Sequence, residues 1–161
     1  MTATASHLAS SIQRGERLIQ VAGVSKIYQL KEQKVYALRQ VSLDIFRSEY
    51  LSIMGPSGSG KSTLFNIVGA LDRPSEGSVN IGPLDLTKLS SRQLSYVRCN
   101  YIGYVFQAYN LIPSLTALKN VSLPAVFQGL SPHDADERAA ERLRQVGLGH
   151  RLDHRPGELS G

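Results

Sequence analysis

Two stretches near the start of the chain alternate apolar with polar positions: residues 18–28 (LIQVAGVSKIY) and 35–46 (VYALRQVSLDIF). In the second, Leu38, Val41, Leu43 and Ile45 sit among polar neighbours. A period of two in runs rich in β-formers predicts two strands. The polar residues 31–34 between them predict a loop. Residues 50–54 form a short apolar run that ends at Gly55, the pattern of a buried strand. The period then changes. Leu64, Ile67, Val68 and Leu71 recur at i, i+3, i+4 and i+7, which marks one face of a helix starting at Lys61. Pro74 is expected to end that element. Residues 78–82 predict a short strand, 90–100 a helix capped by Ser90 or Ser91, and 101–106 a return to strand. Residues 115–127 predict a helix interrupted at Pro124. Ser131 then offers an N-cap, Pro132 fits the first helical position, and Asp134 follows three after the cap. Ala139, Leu143 and Val146 are its expected buried stripe, and Gly147 and Gly149 its stop. Residues 150–161 read as loop. Antiparallel strands, a strand–loop–helix unit and a helical stretch together predict an α/β fold with appended subdomains.

Composition narrows the class. At 161 residues the chain suits one domain, or most of a larger one. Residues 1–17 are small and polar and are expected to be a mobile tail, which leaves 18–161 as the ordered part. A hydrophobic fraction of 42% against 19% charged residues fits a globular domain rather than a disordered one. The net charge of +5 suits an anionic ligand, an anionic membrane surface or an ordinary solvated face. Basic residues are spread rather than clustered, which argues against nucleic acid. One cysteine, Cys99, excludes an internal disulfide and fits a reducing compartment. No apolar run approaches the roughly 18 residues that span a bilayer, and the first residues lack the layout of a secretory signal. Membrane association is therefore expected through a partner.

The chemistry concentrates in Gly55, Pro56, Ser57, Gly58, Ser59, Gly60, Lys61, Ser62 and Thr63, which match G-x-x-x-x-G-K-[ST]. Glycines at 58 and 60 permit backbone angles that turn successive N–H groups toward one concave point. Those donors, with the positive end of the following helix, suit phosphate oxygens. Lys61 supplies a mobile point charge for the β- and γ-phosphates. The Ser62 hydroxyl is a hard oxygen ligand suited to Mg²⁺. An apolar strand before the loop and an amphipathic helix after it are the context that the motif requires. The pattern predicts the phosphate-binding loop of a P-loop NTPase, with ATP and Mg²⁺ as the expected cofactor.

From here the likeness becomes specific. The run GPSGSGKSTLFNIVGALDRPSEG resembles the Walker A region of ABC transporter ATPases. Gly103, Tyr104, Val105, Phe106 and Gln107 resemble their Q-loop, and residues 110–113 and 118–121 continue the likeness. Leu159, Ser160 and Gly161 resemble the opening of the LSGGQ signature. The wording is most similar to the lipoprotein-releasing and macrolide-export group (LolD/MacB-like), over residues 18–161. The resemblance implies a RecA-like core, here its N-terminal part, with an antiparallel β-subdomain and a partial helical subdomain. It implies that Tyr28 stacks on adenine and that Gln107 reaches Mg²⁺ and the attacking water. Ser160 and Gly161 would contact the γ-phosphate held by an opposite subunit. It further implies a homodimer of ATPase subunits, a transmembrane permease partner, and a place on the cytoplasmic face of the cell membrane.

A family member would continue past the signature into a Walker B strand, whose Asp helps hold Mg²⁺ and whose Glu serves the attacking water. These 161 residues contain neither it nor the switch histidine. Two readings follow: an ATP-hydrolysing subunit that drives transport, or a truncated nucleotide-binding fragment without turnover. Missing strands would also leave residues 50–54 and 101–105 without neighbours, and a marginally stable or aggregation-prone chain is expected. A GTPase would need N-K-x-D, and no asparagine here is followed by lysine. His150 with His154, and His133 with Asp134, Asp136 and Glu137, could be drawn as metal ligands. Pro156 argues against a helical His pair, and acidic residues in a first helical turn are explained by the helix dipole. Arg138, Arg142 and Arg144 read as a solvated helix face.

Overall fold

The computed structural model describes residues 15–30 and 33–159. Most of the tail expected at 1–17 lies outside that range, and so do the signature residues Ser160 and Gly161. The chain divides into two compact units, Met1–Arg98 and Cys99–Gly161.

The first unit is built on a four-stranded antiparallel sheet in the order β2-β1-β3-β4. Strand β1 (Arg17–Leu30) pairs with β2 (Gln33–Phe46) and, on its other side, with β3 (Glu76–Ile81). A short strand β4 (Leu84–Asp85) closes the edge on β3. The predicted strands at 18–28 and 35–46 are found, each slightly longer, with Arg17 already paired to Phe46. Alternation puts Val21, Val24, Leu38, Val79 and Ile81 into the core. The β1–β2 ladder slips around Val24. Two hydroxyls satisfy the amides freed there: Ser42 Oγ accepts from Gly23 N at 2.9 Å, and the buried Ser25 Oγ from Gln40 N at 3.2 Å. Gly77 has φ +82° and lies so close to the Ala22 and Gly23 carbonyls that a Cβ would strike them, so β3 crosses β1 where only glycine fits.

Helix α1 (Lys61–Val68) buries Leu64 and Ile67. It is shorter than its predicted stripe. Leu71 is exposed, and the chain turns out at buried Ala70, whose φ is +59°. The Leu71 and Asp72 amides both donate to Asn66 O, at 2.8 and 3.1 Å. The helix thus ends well before Pro74, because its own C-terminal carbonyls are satisfied by this turn. Helix α2 (Ser91–Tyr101) buries Leu94 and Val97. Ser90 and Gln93 cap it reciprocally, with Gln93 N donating to Ser90 Oγ and Ser90 N to Gln93 Oε1.

The expected strands at 50–54 and 101–106 do not form. Tyr101 ends α2, and neither run carries a ladder bond among the described residues. Tyr50, Met54 and Val105 are 94%, 87% and 96% exposed. A buried strand of this kind takes its ladder from segments reached by a crossover, and no described segment provides one. An apolar run without such a ladder stays irregular, and its side chains remain largely exposed.

The second unit packs α3 (Ala117–Phe127) on α4 (Pro132–Gln145). Small buried side chains, Ala117 and Ser122 on α3 and Ala135, Ala139 and Ala140 on α4, let the backbones approach. Lys119 and Asp136 form an ion pair at 2.6 Å between the two helices. Thr116 caps α3, which passes Pro124 without the predicted interruption. Pro124 sits in the last turn, where the missing N–H removes only one bond. Ser131 caps α4 as predicted, through Asp134 N at 3.1 Å. Val146 leaves the predicted stripe: it is the C-cap and is exposed, while Leu148 N and Gly147 N close the helix on Leu143 O and Arg144 O. The terminal segment is tied back to α3, with Ala117 N donating to His154 O and Leu118 N to Leu152 O. It also holds a short 3-10 turn, Pro156–Glu158.

Candidate functional site: a phosphate-binding loop and its aromatic neighbour

Residues 55–60 turn sharply into α1. Gly58 and Gly60 have φ +78° and +90°, angles that an L side chain adopts only with strain. Gly60 is constrained twice over. A Cβ there would strike the Ala37 carbonyl oxygen and approach Leu38 Cδ2 to 2.9 Å. The loop is therefore seated directly on β2. Gly58 has open space where a Cβ would lie.

Gly60 is the helix N-cap, and no side chain caps α1. The first amides of any helix lack an acceptor one turn back, so those of α1 converge with the helix dipole on the concave side of the loop. Lys61 Nζ folds over this concavity. It donates to Gly55 O at 2.7 Å, to Pro56 O at 2.6 Å and to Ser59 Oγ at 3.4 Å. Ser62 is exposed and Thr63 half-buried in the first turn. Uncapped amides, a dipole end, a flexible ammonium and a hydroxyl at one point form a donor set that fits a polyphosphate with its magnesium ion.

Tyr28 lies at the end of β1, paired with Val35 on β2. Val35 stands two residues before Ala37, the residue against Gly60, a step of about 7 Å along a strand. One strand therefore carries both the seat of the loop and the partner of the aromatic residue. The Tyr28 ring is 40% exposed, with its hydroxyl 3.3 Å from Asp72 Oδ2. Lys26 Nζ lies over the ring at 5.2 Å from its centroid and pairs with Asp72 Oδ1 at 2.7 Å. Lys26 also donates to Arg73 O at 2.7 Å. Burial acts to raise the Asp72 carboxyl, but the Lys26 ammonium, the Arg73 amide and the Tyr28 hydroxyl outweigh it and hold the group below its ordinary value. Sequence reasoning missed Lys26 and Asp72, which lie 46 positions apart with no shared local motif. Only the β1 register, which puts Lys26 two residues before Tyr28, hinted at the pair.

Gln107 belongs to the second unit, in an exposed segment without regular structure. Beside it the Tyr104 and Phe106 rings stack at 5.5 Å. Asn120 on α3 fixes the loop that follows: its side chain accepts from Ile112 N at 2.8 Å and donates to Ile112 O and Leu115 O, both at 3.2 Å. Three of the residues set aside as metal ligands have other partners. Asp134 Oδ2 accepts from the capping Ser131 hydroxyl at 2.7 Å and Asp136 pairs with Lys119. His150 accepts from Arg151 Nε at 3.2 Å. His133, Asp134 and Glu137 do lie together but are all exposed.

Comparison with known proteins extends these local observations. The ABC transporter family model matches residues 38–161. An ABC transporter ATP-binding protein of Thermotoga maritima is 51% identical over 146 residues, which cover 91% of this chain and 62% of the relative. A macrolide export ATP-binding/permease protein, MacB of Marinobacter nauticus, is 43% identical over 89% of this chain and 22% of its own length. Two solved dimers of the ATP-binding cassette MJ0796, one in a post-hydrolysis state with ADP and Pi, superpose with TM-scores of 0.80 and 0.81 at 44% identity. This chain covers 89% of its own length in both and 63% and 64% of theirs. It therefore spans less than two thirds of the cassettes that it matches. The family match includes the loop at 55–63, and with these identities this chain belongs to the ABC transporter ATP-binding family.

Proposed function

We propose that this chain binds Mg·ATP at residues 55–63 as part of the ATP-binding subunit of an ABC transporter. The observation that carries the reading is the Lys61 ammonium, held at 2.6–2.7 Å by the Pro56 and Gly55 carbonyls over the uncapped start of α1. The loop amides bind phosphate oxygens, and Lys61 swings from those carbonyls to the β- and γ-phosphates. Ser62 gives its hydroxyl to the magnesium ion, which when bound offsets phosphate charge. Tyr28 stacks on the adenine, and Gln107 orients water and metal. Ser160 and Gly161 meet the γ-phosphate of a second copy, so the working form is a homodimer with two nucleotides between the subunits. Hydrolysis drives a permease partner at the cytoplasmic face of the membrane. The likeness to MacB supports export of macrolides or other hydrophobic compounds, and the group as a whole supports lipoprotein release as the other substrate class. Residues 18–161 form the N-terminal portion of the cassette.

The test is calorimetric titration of the purified chain with ATP, with and without Mg²⁺. Magnesium-dependent binding is expected, weakened at least tenfold in Lys61→Ala, since a charge-assisted hydrogen bond contributes about 1.5–3 kcal/mol. Equal affinity in the two proteins would refute the assignment.

A further inference from the structure

The Tyr28 ring does not stand alone at the end of β1. Its hydroxyl reaches Asp72 Oδ2 at 3.3 Å, while the other oxygen of the same carboxylate takes the Lys26 ammonium at 2.7 Å. That ammonium lies over one face of the ring, 5.2 Å from its centroid. Lys26 is only 13% exposed, so it is a fixed neighbour rather than a waving surface charge. Asp72 in turn is anchored to the phosphate-loop helix, since its amide donates to Asn66 O at 3.1 Å. Further bonds join the same two segments: Ile27 N to Ser75 Oγ at 3.0 Å and Ser75 N to Ser25 O at 2.8 Å. The ring is thus referenced to the helix whose other end carries the loop at 55–60. A Tyr side chain free to turn about χ1 would lose rotamer freedom on stacking. One held by its hydroxyl has already lost it.

We propose that Asp72 is a positioning residue for nucleotide binding: it fixes the Tyr28 ring through the hydroxyl, and with Lys26 covering one ring face it leaves the other for the adenine. The proposal rests on the reading that this site binds ATP with its base on Tyr28. The Lys26 ammonium is attracted to the negative π-face it covers, and by drawing ring electron density toward itself it lessens the repulsion between the other face and an offset-stacked base. The Lys61 ammonium donates to Gly55, Pro56 and Ser59 and not to the Asp72 carboxylate, so loss of that carboxylate is expected to act on the base rather than on the phosphates.

The experiment measures two affinities in the presence of Mg²⁺, for ATP and for inorganic tripolyphosphate, in the full chain and in variants. Asp72→Ala is expected to weaken ATP about threefold to tenfold, the worth of one hydrogen bond and its ordering, and to leave tripolyphosphate unchanged. Asp72→Asn keeps an acceptor for the hydroxyl and is expected to recover most of the ATP affinity. Tyr28→Phe deletes only an exposed hydroxyl, so it reads the same tether if Asp72→Ala is poorly folded, and its ATP affinity should fall as in Asp72→Ala. An equal loss for both ligands in Asp72→Ala would mean a loosened fold and would overturn the proposal. So would wild-type ATP affinity in both Asp72→Ala and Tyr28→Phe. Tyr28→Ala separates the two levels. If it leaves the ratio of ATP to tripolyphosphate affinity as in the parent chain, base stacking itself is wrong. If it lowers the ratio while the tether variants do not, stacking stands and the positioning role falls.

Discussion

Replacing Gly60 by alanine tests whether contact with β2 is what seats the phosphate loop. The residue has φ +90°, and moving an L side chain there costs about 1–2 kcal/mol from backbone strain alone. Its Cβ would also strike the Ala37 carbonyl oxygen and lie 2.9 Å from Leu38 Cδ2. Leu38 is buried and the Ala37 oxygen is backbone, so neither can swing aside like the end of a long surface side chain. Overpacking of this kind adds about 1–3 kcal/mol. The total, about 2–5 kcal/mol, corresponds to a thermal midpoint lower by roughly 4–20 °C for a chain of this size. Gly58 is the control. Its φ is +78° but its Cβ would meet open space, so Gly58→Ala carries the strain alone, about 1–2 kcal/mol. The assay is thermal unfolding of both variants beside the parent chain. Gly60→Ala should melt clearly below Gly58→Ala and should lose more Mg·ATP affinity. Coincident midpoints would refute the claim that Ala37 and Leu38 fix the loop.

Other outcomes follow from the same structure. Asp72, Asp85 and Asp136 are all held below the ordinary aspartate value of 3.8. A folded value below the unfolded one adds stability above pH 3.8, and that stability is lost as the pH falls from there through the folded values. Denaturant midpoints should therefore drop on acidification below that point, and the drop should be shallower in Asp72→Asn; an unchanged slope would count against the Lys26–Asp72 pair. Ser131→Ala should destabilise α4 by about 1 kcal/mol by removing its cap to Asp134 N, a loss of roughly 4–8 °C in the melting of the second unit. A midpoint unchanged within a degree would show that Pro132 and the first-turn Asp134 suffice.

What the sequence determined by itself was local. The loop at 55–63, the caps at Ser90 and Ser131, and the pairing of β1 with β2 all depend on residues a few positions apart, or on a period that repeats within one element. Backbone sterics and hydrogen bonding act at that range, so spacing alone is informative. The family resemblance was legible for the same reason, since its motifs are short runs around such turns. The tertiary structure decided the rest. Whether residues 50–54 become a strand depends on a partner ladder, and an apolar run does not carry its partner with it. That Gly60 must be glycine follows from Ala37 and Leu38 across the fold as much as from its own turn. The tie from Tyr28 to Asp72 spans 44 positions and that from Lys26 spans 46. Contacts at that separation exist only once the sheet register and the turn after α1 are set together, and no single segment of the chain encodes both.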